Sequence, residues 1–295
     1  NSGEGNAINP LASLTDKEVY GIPVLLVIGW RGEPGVHDEP QHVKQGKITL
    51  PLLDAMGIRH EILSQDETEF RRQLDGAVRH MSETGEAFAF IVRKNTFEPY
   101  TLQRHEVNEY PLSREEAIQK VAASLSAKDV IVSTTGMISR ELFEYRTAQG
   151  QGHERDFLTV GSMGHASQIA LGIALEKTDR RVWCFDGDGA ALMHLGSVAI
   201  IADKAPENFV HVIFNNGAHD SVGGQPTVGL KVNLAGIAKA AGYKDAVSVT
   251  TAEDLGSALK ALKTMRGPVL LEVRVHRGNR KDLGRPTTTP GNWPS

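Results

Sequence analysis

Residues Arg181 to Pro226 read RVWCFDGDGAALMHLGSVAIIADKAPENFVHVIFNNGAHDSVGGQP, and two apolar runs stand out in them. Val182 to Phe185 leads into Gly187-Asp188-Gly189, a helix-like segment follows, and Phe209 to Phe214 then ends in Asn215-Asn216. Short apolar runs bounded by polar turns suit buried strands. If the strands are parallel and joined by a crossover helix, both polar clusters fall at the carboxyl edge of one sheet, where open α/β folds bind ligands. Asp188 and Asn216 offer hard oxygen donors suited to a divalent metal such as Mg2+. The glycines flanking Asp188 let the backbone approach phosphate oxygens, and Gly189-Ala190 opens a helix whose free N–H groups favour an anion. A diphosphate needs a cation before it can be buried, so the layout suits a phosphorylated ligand with its metal. A Walker loop is excluded by Ala190-Ala191 where lysine and a hydroxyl residue are required, and a dinucleotide fingerprint by Leu192 in place of its third glycine.

Outward from this stretch, strands and helices alternate, as parallel sheets require. Upstream lie a strand at Val130 to Ser133 with the hydroxyl loop Thr134-Thr135-Gly136, and a strand at Phe157 to Val160 that runs into Gly161-Ser162-Met163-Gly164 and a small-residue helix through Leu175. Donors at Thr134 and Thr135 fit a phosphate, although a plain turn fits equally well. Met163 by itself reads as a filler of core gaps. Ser113 and Glu116 have capping-box spacing ahead of a helix over 114–126. Downstream, a helix at Val232 to Ala241, a strand at Ala246 to Val249, a helix at Ala252 to Met265 and a strand at Val269 to Val275 complete a second domain over 112–276. The tail, 277–295, is basic and then rich in proline and threonine, which predicts an irregular path over the surface.

The first part, 1–94, has a strand within Ile22 to Trp30, a helix from about Val43 to Met56, a strand at His60 to Leu63, a helix at Glu67 to Glu83 and a strand at Ala87 to Arg93. Residues 1–14, NSGEGNAINPLASL, read as a loop entering a helix. Residues 95–111 lose periodicity and read as a linker between two domains. The loop Trp30 to His42 gathers Arg31, His37, Asp38 and His42 between prolines that predict no helix there. It is either a surface excursion or a substrate loop, and guanidinium and imidazole favour the second.

With 295 residues, 40% hydrophobic and 23% charged, the chain has an ordinary globular composition, and its net charge of -4 carries no field that would attract nucleic acid. Its one cysteine, Cys184, permits no internal disulfide and suits a cytoplasmic setting. No apolar run is long enough to span a bilayer, so no membrane association is expected.

Gly187-Asp188-Gly189 followed by Asn215-Asn216 resembles the cofactor signature of thiamine diphosphate enzymes. NSGEGNAINPL, GWRGEPGVHDEPQHVKQG, DFLTVGSMGHASQIALGIAL, DGDGAALMHLG, NNGAHDSVGGQPT and RKDLGRPTTTP resemble the phosphonopyruvate decarboxylases among them. The resemblance implies two doubly wound parallel-sheet α/β domains of the thiamine diphosphate-binding type, the first incomplete at its start. It implies a homodimer or dimer of dimers in which the pyrimidine-binding domain of one subunit faces the diphosphate-binding domain of another. Asp188, Asn216 and the Ala218 carbonyl would bind Mg2+. Gly187, Gly189, Ala190, Thr134 and Thr135 would hold the diphosphate, the Gly161 carbonyl would take the aminopyrimidine, and Met163 would bend the cofactor instead of filling a core. The implied reaction takes phosphonopyruvate to phosphonoacetaldehyde and carbon dioxide through a thiamine diphosphate ylid and enamine. Arg31 suits the phosphonate, His37, His42 and His219 suit proton handling, and Asp38 beside them is a further catalytic candidate. A glutamate that promotes ylid formation is also implied, in a unit ahead of the asparagine-rich loop. Glu4 lies beyond the place where it would fall, so a chain without it should bind cofactor yet decarboxylate little. Rival readings are a decarboxylase or carboligase for sulfopyruvate or another 2-oxo acid, and a non-catalytic cofactor-binding subunit.

Overall fold

The computed structural model describes residues 1–101 and 108–287, and the chain divides into two compact units, Asn1–Gln103 and Arg104–Ser295. Part of the expected linker, 102–107, and the end of the tail, 288–295, lie outside the described residues.

The first unit contains α1 (Glu4–Ser13), β1 (Leu25–Gly29), α2 (Pro40–Ala55), β2 (Arg59–Ile62), α3 (Glu67–Thr84) and β3 (Phe88–Val92). Its three strands are parallel in the order β1-β3-β2. Side chains alternate across a strand, so central β3 serves two cores. Ala89 and Ile91 join Leu11 and Leu53, while Phe88 and Phe90 join Leu63 and Ala77. Two expectations change here. Residues 4–13 are already helical despite Pro10, because the helix packs Leu11 into the core. Pro40 does not block a helix but begins α2, since the missing N–H and fixed φ of proline suit a first helical position. His42 therefore sits in the first turn of a helix.

The second unit contains α4 (Arg114–Ser124), β4 (Val130–Ser133), α5 (Met137–Ala148), β5 (Asp156–Leu158), α6 (Ala166–Glu176), β6 (Val182–Gly187), α7 (Asp188–Met193), α8 (Ser197–Lys204), β7 (Phe209–Asn215), the two-residue strands β8 (Ala218–His219) and β9 (Gln225–Pro226), α9 (Leu234–Ala241), β10 (Asp245–Val249), α10 (Ala252–Leu262) and β11 (Val269–Arg274). Six strands form a parallel sheet in the order β10-β11-β7-β6-β4-β5. Trp183, Phe185, Val212 and Phe214 face one core, and Val182, Cys184, Phe209 and Ile213 face the other. Burial on both faces explains why β6 and β7 read as continuous apolar runs. From β4 the chain steps outward to β5 and then returns to β6 on the other side of β4, so the sheet changes direction between β4 and β6. Ligand crevices form beyond the carboxyl ends of strands at such a point.

Among the described residues no helix is long and apolar enough to cross a membrane.

Candidate functional site

Three strands end at one cleft, lined by Thr134, Thr135 and Met137 after β4, Gly187 to Ala190 after β6, and Asn216, Ala218, His219 and Asp220 after β7, with Arg114 and Met163. Of the cofactor and metal positions expected from the sequence, Thr134, Thr135, Met163, Gly187, Asp188, Gly189, Ala190, Asn216 and Ala218 all line it, as does His219. Gly161 adjoins through its N–H, which donates to the Thr135 hydroxyl at 3.1 Å. The turn after β4 is fixed by Ser139 in the first turn of α5, whose hydroxyl donates to the Thr134 carbonyl at 2.7 Å. Gly136 gives α5 no side-chain cap, so the first N–H groups of that helix open onto the cleft with Met137 and Ile138.

Asp188 is 1% exposed. Burial raises its carboxyl above the usual range, opposed by the Thr227 hydroxyl, its own N–H, the Asn216 N–H and the field of His219. Among the described residues no lysine or arginine is paired with it. A buried carboxylate without a cation is the condition a divalent metal relieves. The buried Thr134 hydroxyl lacks a hydrogen-bond partner, which leaves a donor for an anion beside the open end of α5. The donor set therefore fits a metal-bound diphosphate. Asp188, Asn216 Oδ1 and the Ala218 carbonyl are the oxygens available to the metal. Thr134, Thr135 and the surrounding N–H groups are available to the anion.

Arg114 and Asp220 in the cleft, and Glu272 and Gly229 behind Asn215, are residues that sequence patterning missed. Arg114, 4% exposed, binds Glu141 through Nε at 2.8 Å and Nη2 at 2.9 Å, and Asp220 through Nη1 at 3.0 Å. Burial opposes the Arg114 charge, but the two carboxylates outweigh it and raise its pKa. Asn215 donates to Glu272 at 2.6 Å and to the Gly229 carbonyl at 2.9 Å, and accepts from Gly217 N–H at 3.1 Å. Gly229 is tied to this arrangement by contact: a Cβ there would lie 2.4 Å from Asp188 Oδ2 and 2.9 Å from Asn215 Oδ1. Only the turn composition of VGGQPTVG hinted at such a close approach. The start of the tail does more than take an irregular path over the surface, because Arg277 donates to the Gly217 carbonyl at 3.0 Å and Gly278 N–H to Asp220 at 3.0 Å.

In the first unit, Arg31, Asp38 and His42 form a second cluster, and His37 is exposed. Arg31 donates to Asp38 from Nε at 2.8 Å and Nη2 at 2.6 Å, and His42 Nδ1 lies 3.0 Å from the same carboxylate. The Arg31 bond, foremost, holds the Asp38 carboxyl far below its usual range. Asp38 is thus a fixed anion that orients His42 rather than a group that exchanges protons near neutral pH. Gly46 on α2 carries the loop: Trp30 Nε1 donates to its carbonyl at 2.8 Å, and a Cβ on it would lie 1.7 Å from the Gly32 carbonyl oxygen. Glu4 is 9% exposed, with Oε1 unpartnered, and burial raises its carboxyl against the hydrogen bond from Thr49. Glu4 is thus a buried acid with one oxygen unpartnered, on the same helix that packs Leu11 into the core.

Residues 134–273 match the family described as "Thiamine pyrophosphate enzyme, C-terminal TPP binding domain", so the second unit is a thiamine diphosphate-binding domain. The phosphonopyruvate decarboxylase of Streptomyces viridochromogenes is 34% identical over 98% of this chain and 75% of its own length. This chain belongs to the phosphonopyruvate decarboxylase family. The sulfopyruvate decarboxylase of Methanosarcina acetivorans is 28% identical over 94% of this chain and 75% of its own length. The crystal structure of benzoylformate decarboxylase from Polynucleobacter necessarius superposes with a TM-score of 0.51 at 15% identity, covering 91% of this chain and 52% of that one. The last likeness concerns the fold alone.

Proposed function

We propose that this family member catalyses the non-oxidative decarboxylation of 3-phosphonopyruvate to phosphonoacetaldehyde and carbon dioxide, using thiamine diphosphate and Mg2+ in the cytoplasm. The observation that carries the reading is the sustained identity to a phosphonopyruvate decarboxylase over 98% of the chain. The chemistry of the cleft agrees with it. When bound, thiamine diphosphate supplies the electron sink that a 2-oxo acid needs to lose carbon dioxide. The chain's own work is to bind, orient and move one proton, since the acid R–CO–COO⁻ takes up H⁺ as it becomes R–CHO and CO2. Asp188, Asn216 Oδ1 and the Ala218 carbonyl hold the cation. Thr134, Thr135, Gly187, Gly189 and Ala190 would hold the diphosphate, Gly161 would take the aminopyrimidine and Met163 would pack against the cofactor.

Two copies of the chain share the reaction in this reading, as a homodimer or dimer of dimers. Arg31 keeps its Nη1 edge for the phosphonate while Asp38 occupies the other edge, and a guanidinium fork matches that group in geometry and charge. His42, with Nδ1 held by Asp38, keeps Nε2 for proton delivery, and His37 and His219 are the other imidazoles within the proposed machinery. Glu4 lies beyond the place the resemblance gives the activating glutamate, yet its burial and unpartnered Oε1 make it our own candidate for an acid that activates the cofactor.

Carbon dioxide release should be measured from phosphonopyruvate, sulfopyruvate and pyruvate, each with and without thiamine diphosphate and Mg2+. Release from phosphonopyruvate that depends on both additions supports the reading. Preference for sulfopyruvate, the substrate in the name of a relative matching 94% of the chain, would replace it with the second reading, in which the same cation sites take a sulfonate.

A further inference from the structure

Asn216 can reach a metal only with its side-chain oxygen, so the orientation of its amide decides whether the site exists. An amide has one accepting and one donating end, and here each end is claimed. Oδ1 accepts from Ala218 N–H at 3.0 Å, which uses one lone pair and leaves the other for a cation. Nδ2 donates to Asp220 Oδ2 at 2.7 Å. A carboxylate can only accept, so that contact admits the nitrogen end and excludes the reversed amide.

Asp220 is itself held from two further directions. Its Oδ2 also accepts from Arg114 Nη1 at 3.0 Å and from Gly278 N–H at 3.0 Å. Arg114 cannot swing away, because its other edge forms a two-bond fork with Glu141, which is 1% exposed. One carboxylate oxygen thus joins α4, the loop after β7 and the segment after β11.

We propose that Asp220 is a positioning residue for the metal: clamped by Arg114 and Gly278, it grips the nitrogen end of the Asn216 amide and so presents Oδ1 to the cation. This rests on the reading of Asp188 and Asn216 as metal ligands. Outer partners that orient a ligand typically contribute 10–100-fold in metal affinity.

The test is Mn2+ binding to the full chain with thiamine diphosphate present, followed by electron paramagnetic resonance, alongside thermal melting. Asp220→Ala, which removes the accepting oxygen, should weaken Mn2+ binding about 10–100-fold. Asp220→Glu, which keeps the charge opposite Arg114 but moves it by one methylene, should weaken it as well and serves as the reading if Asp220→Ala fails to fold. Asp156→Asn removes a buried carboxylate from a different arginine, Arg146, outside the chain of bonds from Arg114 through Asp220 to Asn216, so it should bind Mn2+ within about threefold of wild type even if it melts earlier. Wild-type affinity in both Asp220 variants overturns the proposal, as does a loss in Asp156→Asn equal to that in Asp220→Ala. An Asp188→Asn control separates the two levels. If that variant binds Mn2+ as wild type does, the ligand reading is wrong and the positioning role falls with it. If only the Asp188 variant loses Mn2+, the ligands stand and the role of Asp220 is refuted.

Discussion

Two buried acids, Asp188 and Glu4, carry charges that burial opposes. Asp188 is 1% exposed and its charge is opposed by burial. Asp188→Asn should therefore raise the melting temperature of the cofactor-free chain at neutral pH, while abolishing the further rise that Mg2+ and thiamine diphosphate give the wild type. Differential scanning fluorimetry with and without both ligands reads the two effects separately. Glu4 gives a pH-dependent counterpart. Its folded carboxyl is raised above the ordinary value of 4.5, first by burial. The stability linked to it is present in full below pH 4.5 and is lost as pH rises through the folded value. Glu4→Gln should thus melt above wild type at neutral pH, and the gap should close as the pH falls to 4.5. A gap that instead widens toward acid would show that the ionised form is the one the fold prefers. If Glu4 activates the cofactor, the same variant loses decarboxylation while still binding thiamine diphosphate.

At the scale of elements, local signals and hidden ones divide cleanly. Ser113 and Glu116 form the capping box that their spacing announces, with the Ser113 hydroxyl accepting from Glu116 N–H at 3.1 Å. Ser113→Ala should cost about 1 kcal/mol in urea unfolding, the usual value of an N-cap, with metal binding little changed. β6 and β7 were legible because burial on both sides makes them uniformly apolar, and the cluster at Gly187–Gly189 with Asn215-Asn216 was legible because short polar groups at strand ends leave few other uses. α5 was not. Its buried face carries Glu141 and Arg146, each satisfied by a distant partner, Arg114 and Asp156, and a charge on the inner face erases the apolar stripe by which a helix is read. Pro40 was misread for a different reason, since proline ends a helix from inside but starts one from its first position. Gly46 was invisible for a third: nothing local shows that a carbonyl lies against it. Gly46→Ala should displace the Trp30–Gly32 turn, because its Cβ would lie 1.7 Å from the Gly32 oxygen. The Arg31–Asp38–His42 cluster moves with that turn, so the variant should lose activity without losing Mn2+ binding, which belongs to the other unit.

For the whole molecule, the two units carry different chemistry. The proposed metal and diphosphate donors and His219 lie in Arg104–Ser295, and Arg31, His37, His42 and the buried Glu4 lie in Asn1–Gln103. If each reaction draws one set from each of two copies of the chain, loss of Glu4 and loss of Asp188 are separable defects. A chain bearing Glu4→Gln still has its metal donors, and a chain bearing Asp188→Asn still has its acid. Each pure variant should be inactive, yet mixing them under conditions of subunit exchange should restore on the order of one quarter of wild-type activity. Random pairing makes half of the two-fold dimers mixed, and each mixed dimer has one intact set out of two. The measurement is carbon dioxide release against time after mixing, with the double variant Glu4→Gln, Asp188→Asn paired with wild type as reference. Recovery in the first mixture places the two groups on different chains of one working assembly. Continued inactivity, with exchange verified by native mass spectrometry of tagged chains, would instead assign both groups to the same copy and remove the shared-subunit reading.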